Sequence, residues 1–220
     1  MRYLFIIFFF PFLFLNFKIN AQSYKASVNN TAYVELQSPS VLTKTHPWAN
    51  PWFKIPISFK YSYFGKSMDS IYVGAYGLFF TLDQKDLITV ALYDAIDRGG
   101  SEISYIISGS EGSRILKMQW KNIGFYMDGA HENYYNVQAW LYEGSNNLEV
   151  HIGQCSLQNT YSCEYDDDKS ILFFDNFDSS EKIAMDSNGN YSNDEVRKSC
   201  QVIKNPASGM TCLFEPKRTN

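Results

Sequence analysis

The stretch NVQAWLYEGSNNLEVHIG, residues 136–153, alternates apolar and polar side chains on both sides of a polar turn. Val137, Ala139 and Leu141 share one face, and Leu148, Val150 and Ile152 answer them. An odd-numbered set facing an even-numbered set requires paired positions to sum to an odd number. The turn EGSN, residues 143–146, supplies this by setting Leu141 opposite Leu148. A slip of one residue would turn the apolar set outward, so pattern and turn specify one register. The same sum puts Trp140 opposite Glu149 and Gln138 opposite His151 on the other face, with Asn136 and Tyr142 beside them.

Working outward, the same period recurs. In FKIPISFKYSY, residues 53–63, Ile55, Ile57, Phe59, Tyr61 and Tyr63 face one way, and Lys54, Ser58, Lys60 and Ser62 the other. Pro56 falls on the outward parity and predicts an edge strand or a bulge. IYVGAYGLFFTL is broken by Gly74 and Gly77, and LITVALYD (87–94) is another apolar segment. DRGGS reads as a separator before ISYIISG, and GSEGS closes a hairpin onto RILKMQWKNIGF, where Leu116, Met118 and Trp120 share a face. MDGAHEN (127–133) reads as a polar loop, ILFFDNF as a strand, TCLFEP as a last short strand, and DEVRKS (194–199) as at most one helical turn. No segment holds a helical period over three turns. The expectation is an all-β chain: a single antiparallel β-sandwich with two-sheet packing of the jelly-roll or immunoglobulin-like kind.

The ends and the totals set the compartment. Arg2, a thirteen-residue apolar run from Tyr3 to Leu15, a polar approach and Ala21 have the layout of a signal peptide. The run is shorter than the roughly 20 residues a spanning helix needs, and Pro11 interrupts it. Cleavage after Ala21 leaves one domain, residues 22–220, with no stable membrane insertion, and its loss of Arg2 and Lys18 takes the net charge from −4 to −6. That acidic balance argues against nucleic acid and anionic membranes as partners. Four cysteines, Cys155, Cys163, Cys200 and Cys212, read as disulfides in an exported chain. Of the three pairings, Cys155–Cys163 with Cys200–Cys212 closes the shortest loops. Their spacing does not suit zinc.

Three segments in order, SMDSIYVGAYGLFFTLD, RILKMQWKNIGF and NVQAWLYEGSNNLEVHIG, resemble the β-sandwich module of exported proteins from the Bacteroidota. Gln119, Trp120, Lys121, Asn122, Gly124 and Phe125 match that module's QWKN-x-GF element. Gln138, Trp140, Leu141, Tyr142, Glu143, Glu149 and Gly153 match its following hairpin, and NPASGMTCLFEP its closing strand. The resemblance runs over about residues 53–214 and implies fold and export, with no catalytic residue attached. Many such modules precede a sorting domain for type IX secretion. This chain stops at Asn220 without one, so the resemblance carries the expectation of export to the periplasm, the cell surface or the medium and leaves the route open.

Candidate sites follow from chemistry. Trp140 flanked by Gln138, Glu149, His151 and Tyr142 has the make-up of a carbohydrate site, with a ring for the sugar's apolar face and amide and carboxylate groups for its hydroxyls. The same face could anchor an envelope protein partner, or consist of cross-strand pairs that stabilise the sheet. Asp166, Asp167 and Asp168 offer oxygens to calcium, although the alternating spacing of an EF-hand is missing. His46, His131 and His151 are scattered, and no HExxH or GxSxG motif occurs. The sequence therefore reads as a non-catalytic binding or adhesion module without a cofactor. The competing reading is a structural component of an envelope assembly, with a secreted hydrolase beyond it.

Overall fold

The computed structural model describes residues 24–75, 77–79, 86–89, 95–125, 128, 132–156, 172–176, 182–185, 191–192 and 205–217. The expected signal peptide lies outside them. Among the described residues every regular element is a strand.

The first sheet runs, edge to edge, β1 (Tyr24–Asn30), β14 (Met210–Pro216), β10 (Leu148–Ile152), β9 (Tyr135–Tyr142), β8 (Ile115–Phe125), β7 (Ala95–Ser108) and β2 (Ser40–Val41). The second runs β13 (Tyr191–Ser192), β12 (Lys182–Met185), β11 (Leu172–Asn176), β6 (Asp86–Thr89), β5 (Gly77–Phe79), β4 (Lys66–Gly74) and β3 (Trp52–Tyr63). Each sheet contains a four-strand meander, β7 to β10 and β3 to β6, and all pairings are antiparallel. This is the two-sheet, all-β sandwich expected.

Alternation explains the packing. Leu116, Met118, Val137, Ala139, Leu141, Leu148, Val150 and Phe214 from the first sheet meet Ile55, Ile57, Phe59, Tyr61, Ile71, Val73 and Leu78 from the second in one buried cluster. Trp120, fully buried, adds a polar tie, because its indole Nε1 donates to the Gly74 carbonyl of the opposite sheet at 2.8 Å. The β9–β10 register is Leu141↔Leu148, Trp140↔Glu149 and Gln138↔His151, as the pattern required.

Pro56 is explained twice. β3 is an edge strand, and its register with β4 shifts between Pro56 and Tyr61. That edge is blunted further: Arg114 Nη1 donates to Ser58 O at 2.6 Å, and Ser62 N to Asn146 Oδ1 at 2.8 Å.

Two expectations are corrected. DRGGS does not separate two segments; it is a bulge inside one long strand, β7, whose register with β8 shifts between Asp97 and Glu102. Asp97 closes the bulge, its Oδ1 accepting the N–H groups of Gly99, Gly100 and Ser101, and Gly99 and Gly100 take φ of +95° and +99°. The break at Gly74 and Gly77 is a full reversal, since Tyr72 pairs with Phe79 and Val73 with Leu78. YKASVNN, which shows no clean alternation, nonetheless forms β1 by pairing over its whole length with β14. The turn expected at 194–199 lies outside the described residues.

Candidate functional site

The outer face of the first sheet carries the residues singled out around Trp140, and the ladders sort them into two rows across the strands. One row runs Leu213, Glu149, Trp140, Lys117 and Ile106 over β14, β10, β9, β8 and β7. The next runs Thr211, His151, Gln138, Gln119 and Ser104 over the same strands. The first row is half-buried, as an open sheet face is; the second, entirely polar, is buried throughout.

Contacts within the site are dense. Trp140 Nε1 donates to Gln138 Oε1 at 2.9 Å, and the Trp140 and His151 rings stack at 4.0 Å between centroids. From the strand on the other flank, Lys117 Nζ lies 3.8 Å from the Trp140 ring centroid. Tyr142 Oη donates to Glu149 Oε2 at 2.7 Å, and His151 Nε2 lies 2.9 Å from the same oxygen, with Thr211 Oγ1 3.4 Å from Nδ1. The bond from His151, helped by Tyr142, outweighs burial and holds the Glu149 carboxyl below its ordinary value. Burial, with the Glu149 carboxylate beside it, pushes the Tyr142 hydroxyl up. All five predicted residues therefore converge, but on one another: Trp140 is engaged from both flanking strands.

The buried row has a cover that sequence reading missed. Residues 31–39 leave β1 at one edge of the sheet and reach β2 at the other. Seven strands about 4.8 Å apart span roughly 29 Å, and ten residue steps at about 3.3 Å reach roughly 33 Å, so the segment crosses nearly extended. We call it the strap. Gln138 Nε2 donates to Val34 O at 2.8 Å and to Gln119 Oε1 at 2.8 Å, and Leu36 N donates to Gln119 Oε1 at 3.0 Å. Glu35 pairs with Lys121 at 2.7 Å. Tyr33 lies over Gly153, where an added Cβ would come within 2.9 Å of its ring. The one sequence signal that points to it is Gln119 opposite Gln138 on the outer face; what lies above two glutamines is invisible in a ladder.

The motif residues behind the family resemblance prove architectural. Asn122, at φ +55°, sits in the β8 bulge with its N–H donating to Asn136 Oδ1 at 2.8 Å, and a Cβ on Gly124 would come within 2.9 Å of Arg98 Cβ. Glu143 forms a bidentate pair with Arg114, at 2.6 and 2.8 Å, and accepts the Gly112 and Arg114 N–H groups; Arg114 brings its carboxyl down to about 2.

Other expected sites fare differently. His46 lies far from Trp140 in the fold, its Nδ1 2.5 Å from the buried Asp97 carboxylate. Burial pushes Asp97 up, but the N–H groups of Ser101 and Gly99 with His46 prevail and hold it below its ordinary value. Asp166, Asp167 and Asp168 lie outside the described residues, and among the described ones no three His, Cys, Asp or Glu side chains gather as metal ligands. Cys163 and Cys200 also lie outside, and with them both expected pairings; among the described residues no disulfide forms. Burial pushes the Cys155 thiol up to about 11 and the Cys212 thiol to about 12.

Fold and site together define a class: an antiparallel β-sandwich module with a strapped, aromatic-centred outer face. The chain belongs to the NIDO-related family, whose model matches residues 23–216. This nidogen-related family makes it an extracellular type of module. No curated protein and no solved structure matches the chain. The match speaks to family and module type and does not extend to a Bacteroidota origin or a link with type IX secretion. Among the described residues no helix is long and apolar enough to cross a membrane.

Proposed function

We propose that this chain is a non-catalytic extracellular recognition module, exported through a signal peptide. It binds a protein partner through the open half of the first sheet's outer face. The observation that carries this reading is the state of Trp140. A sugar site needs a bare ring face, whereas this ring has Lys117 against it from β8 and His151 stacked on it from β10. The row Leu213–Glu149–Trp140–Lys117–Ile106 instead makes a flat surface about five strands wide, with charged groups between apolar ones, a mix that suits a protein contact anchored by an aromatic. His151 and Glu149 are bonded to each other, and Glu149 also accepts from Tyr142, which supports a structural role for them.

The test places a photo-crosslinking residue at Ile115, beside Tyr142 on this face, and at Lys54 on the second sheet as control. A discrete protein adduct at position 115, absent at 54 and lost on Trp140→Ala, is expected. A glycan array is run alongside. Sugar binding that disappears in a folded Trp140→Ala variant would restore the carbohydrate reading and sink this one.

A further inference from the structure

The strap is held in an unusual way. Two of its ties to the sheet are main-chain bonds: the Val34 carbonyl takes a hydrogen bond from Gln138, and the Leu36 N–H gives one to Gln119, while the Glu35–Lys121 ion pair and the Tyr33 ring over Gly153 add side-chain contacts. A carbonyl at one residue and an N–H two further on is the pair of groups any extended chain presents to a neighbouring strand. The two glutamines at the centre of the row therefore read backbone. Val34 itself points away and is 66% exposed, and Thr31, Ala32, Glu35, Gln37 and Ser38 are exposed too.

What lies beneath matters equally. The strap's bonds fall on the middle of the buried row Thr211, His151, Gln138, Gln119 and Ser104, which is polar in every strand. Lifting a segment off an apolar surface exposes it to water at high cost; lifting one off the amides of Gln138 and Gln119 lets water replace the lost bonds. The strap's apolar contact is confined to the half-buried Tyr33, Leu36 and Pro39, so it can open in a step separate from unfolding of the sandwich.

We propose that the polar row is a binding track for an extended polypeptide segment of a protein partner, and that the strap is its occupant within the chain, blocking the track until displaced. The chemistry recognised is an extended backbone offering a C=O at one residue and an N–H two residues on. Gln138 also accepts from the Trp140 indole, so exchange of the occupant is felt at the centre of the open face. The proposal deepens the protein-binding reading above and rests on it only for the nature of the partner. A partner must compete with the strap, so its apparent affinity is lowered by the small fraction of molecules in which the track is open.

The experiment has two arms on residues 22–220. In the wild type, hydrogen exchange compares the Leu36 amide with the amides of β8 and β9. Protection of Leu36 at least a hundredfold lower is expected; equal protection, meaning that the strap opens only when the sandwich unfolds, overturns the proposal without recourse to a variant. In the second arm Tyr33→Ala with Glu35→Lys lifts the strap by removing its ring from Gly153 and setting a lysine against Lys121. A fluorescent synthetic peptide of residues 31–41 is then titrated. Saturable binding, at least tenfold tighter than to the wild type and lost when Gln119→Ala is added, supports the track. No saturable binding by a variant whose circular dichroism is native and whose Leu36 amide is unprotected overturns it. This assay reads the track alone, whereas the crosslink at Ile115 reads the open face, so failure of one is distinguishable from failure of the other.

Discussion

Replacing Trp120 with phenylalanine tests whether the two sheets are tied by a specific bond or only by apolar contact. The indole is fully buried and its Nε1 donates across the interface to the buried Gly74 carbonyl at 2.8 Å. Phenylalanine keeps an aromatic ring but leaves that carbonyl without this donor, which costs about 1–3 kcal/mol. The missing ring atoms and the space they leave add about 1 kcal/mol. The expected loss is about 3 kcal/mol. In urea, with a slope of about 2 kcal/mol per molar, the unfolding midpoint falls by roughly 1.5 M. The control is Met118→Leu, two residues away on the same buried face, a nearly volume-conserving change that costs less than about 1.5 kcal/mol. Equilibrium unfolding followed by circular dichroism measures both. If Trp120→Phe costs no more than Met118→Leu, the inter-sheet bond adds nothing, and the sheets are not locked at the β4–β5 reversal in the way described.

Other outcomes follow from the outer face and the edges. Gln138→Ala removes the acceptor of the Trp140 indole and a partner of Gln119, for a loss of about 2 kcal/mol, and shifts the indole N–H resonance of Trp140; an unmoved resonance would contradict the network. Gly153→Ala drives a methyl group to within 2.9 Å of the Tyr33 ring, so limited proteolysis should cut within 31–39 faster than in the wild type while the sheet amides stay protected. Glu143 has its carboxyl held at about 2 by Arg114, below an ordinary value near 4.5. A lowered folded-state value means that its stabilisation is present above about pH 4.5 and fades as the pH falls through about 2. The urea midpoint of Glu143→Gln should therefore lie below the wild type's at pH 6, with the gap closing towards pH 2 and narrowing in salt.

The facing of the cleanly alternating strands and the register of the hairpin were legible because they are local. A period of two and a turn of known length determine which side chains share a face, and neither depends on distant chain. That is why Leu141↔Leu148 and the buried face of β3 emerged from residues 136–153 and 53–63 alone. The edge position of β3 was legible too, since Pro56 lacks the N–H an inner strand needs. DRGGS was misread because its glycines and aspartate are equally good turn chemistry; only the pairing partner β8, supplied by tertiary structure, makes them a bulge.

The candidate site divides in the same way. Alternation determined that Gln138, Trp140, Glu149, His151 and Tyr142 share the outer face, and the ladder agrees. Whether that face is wet, stacked or covered depends on groups far away in the chain. Val34 and Leu36 are 104 and 83 residues from the glutamines that hold them. Their bonds are made by backbone, which every residue carries, so no side-chain pattern in 31–39 announces them. The sequence by itself determined the strands that alternate cleanly, their faces and the register of the central hairpin. Tertiary structure alone decided that a strap crosses the outer face and that Trp140 is engaged by its own neighbours, because those contacts join segments whose meeting no local periodicity encodes.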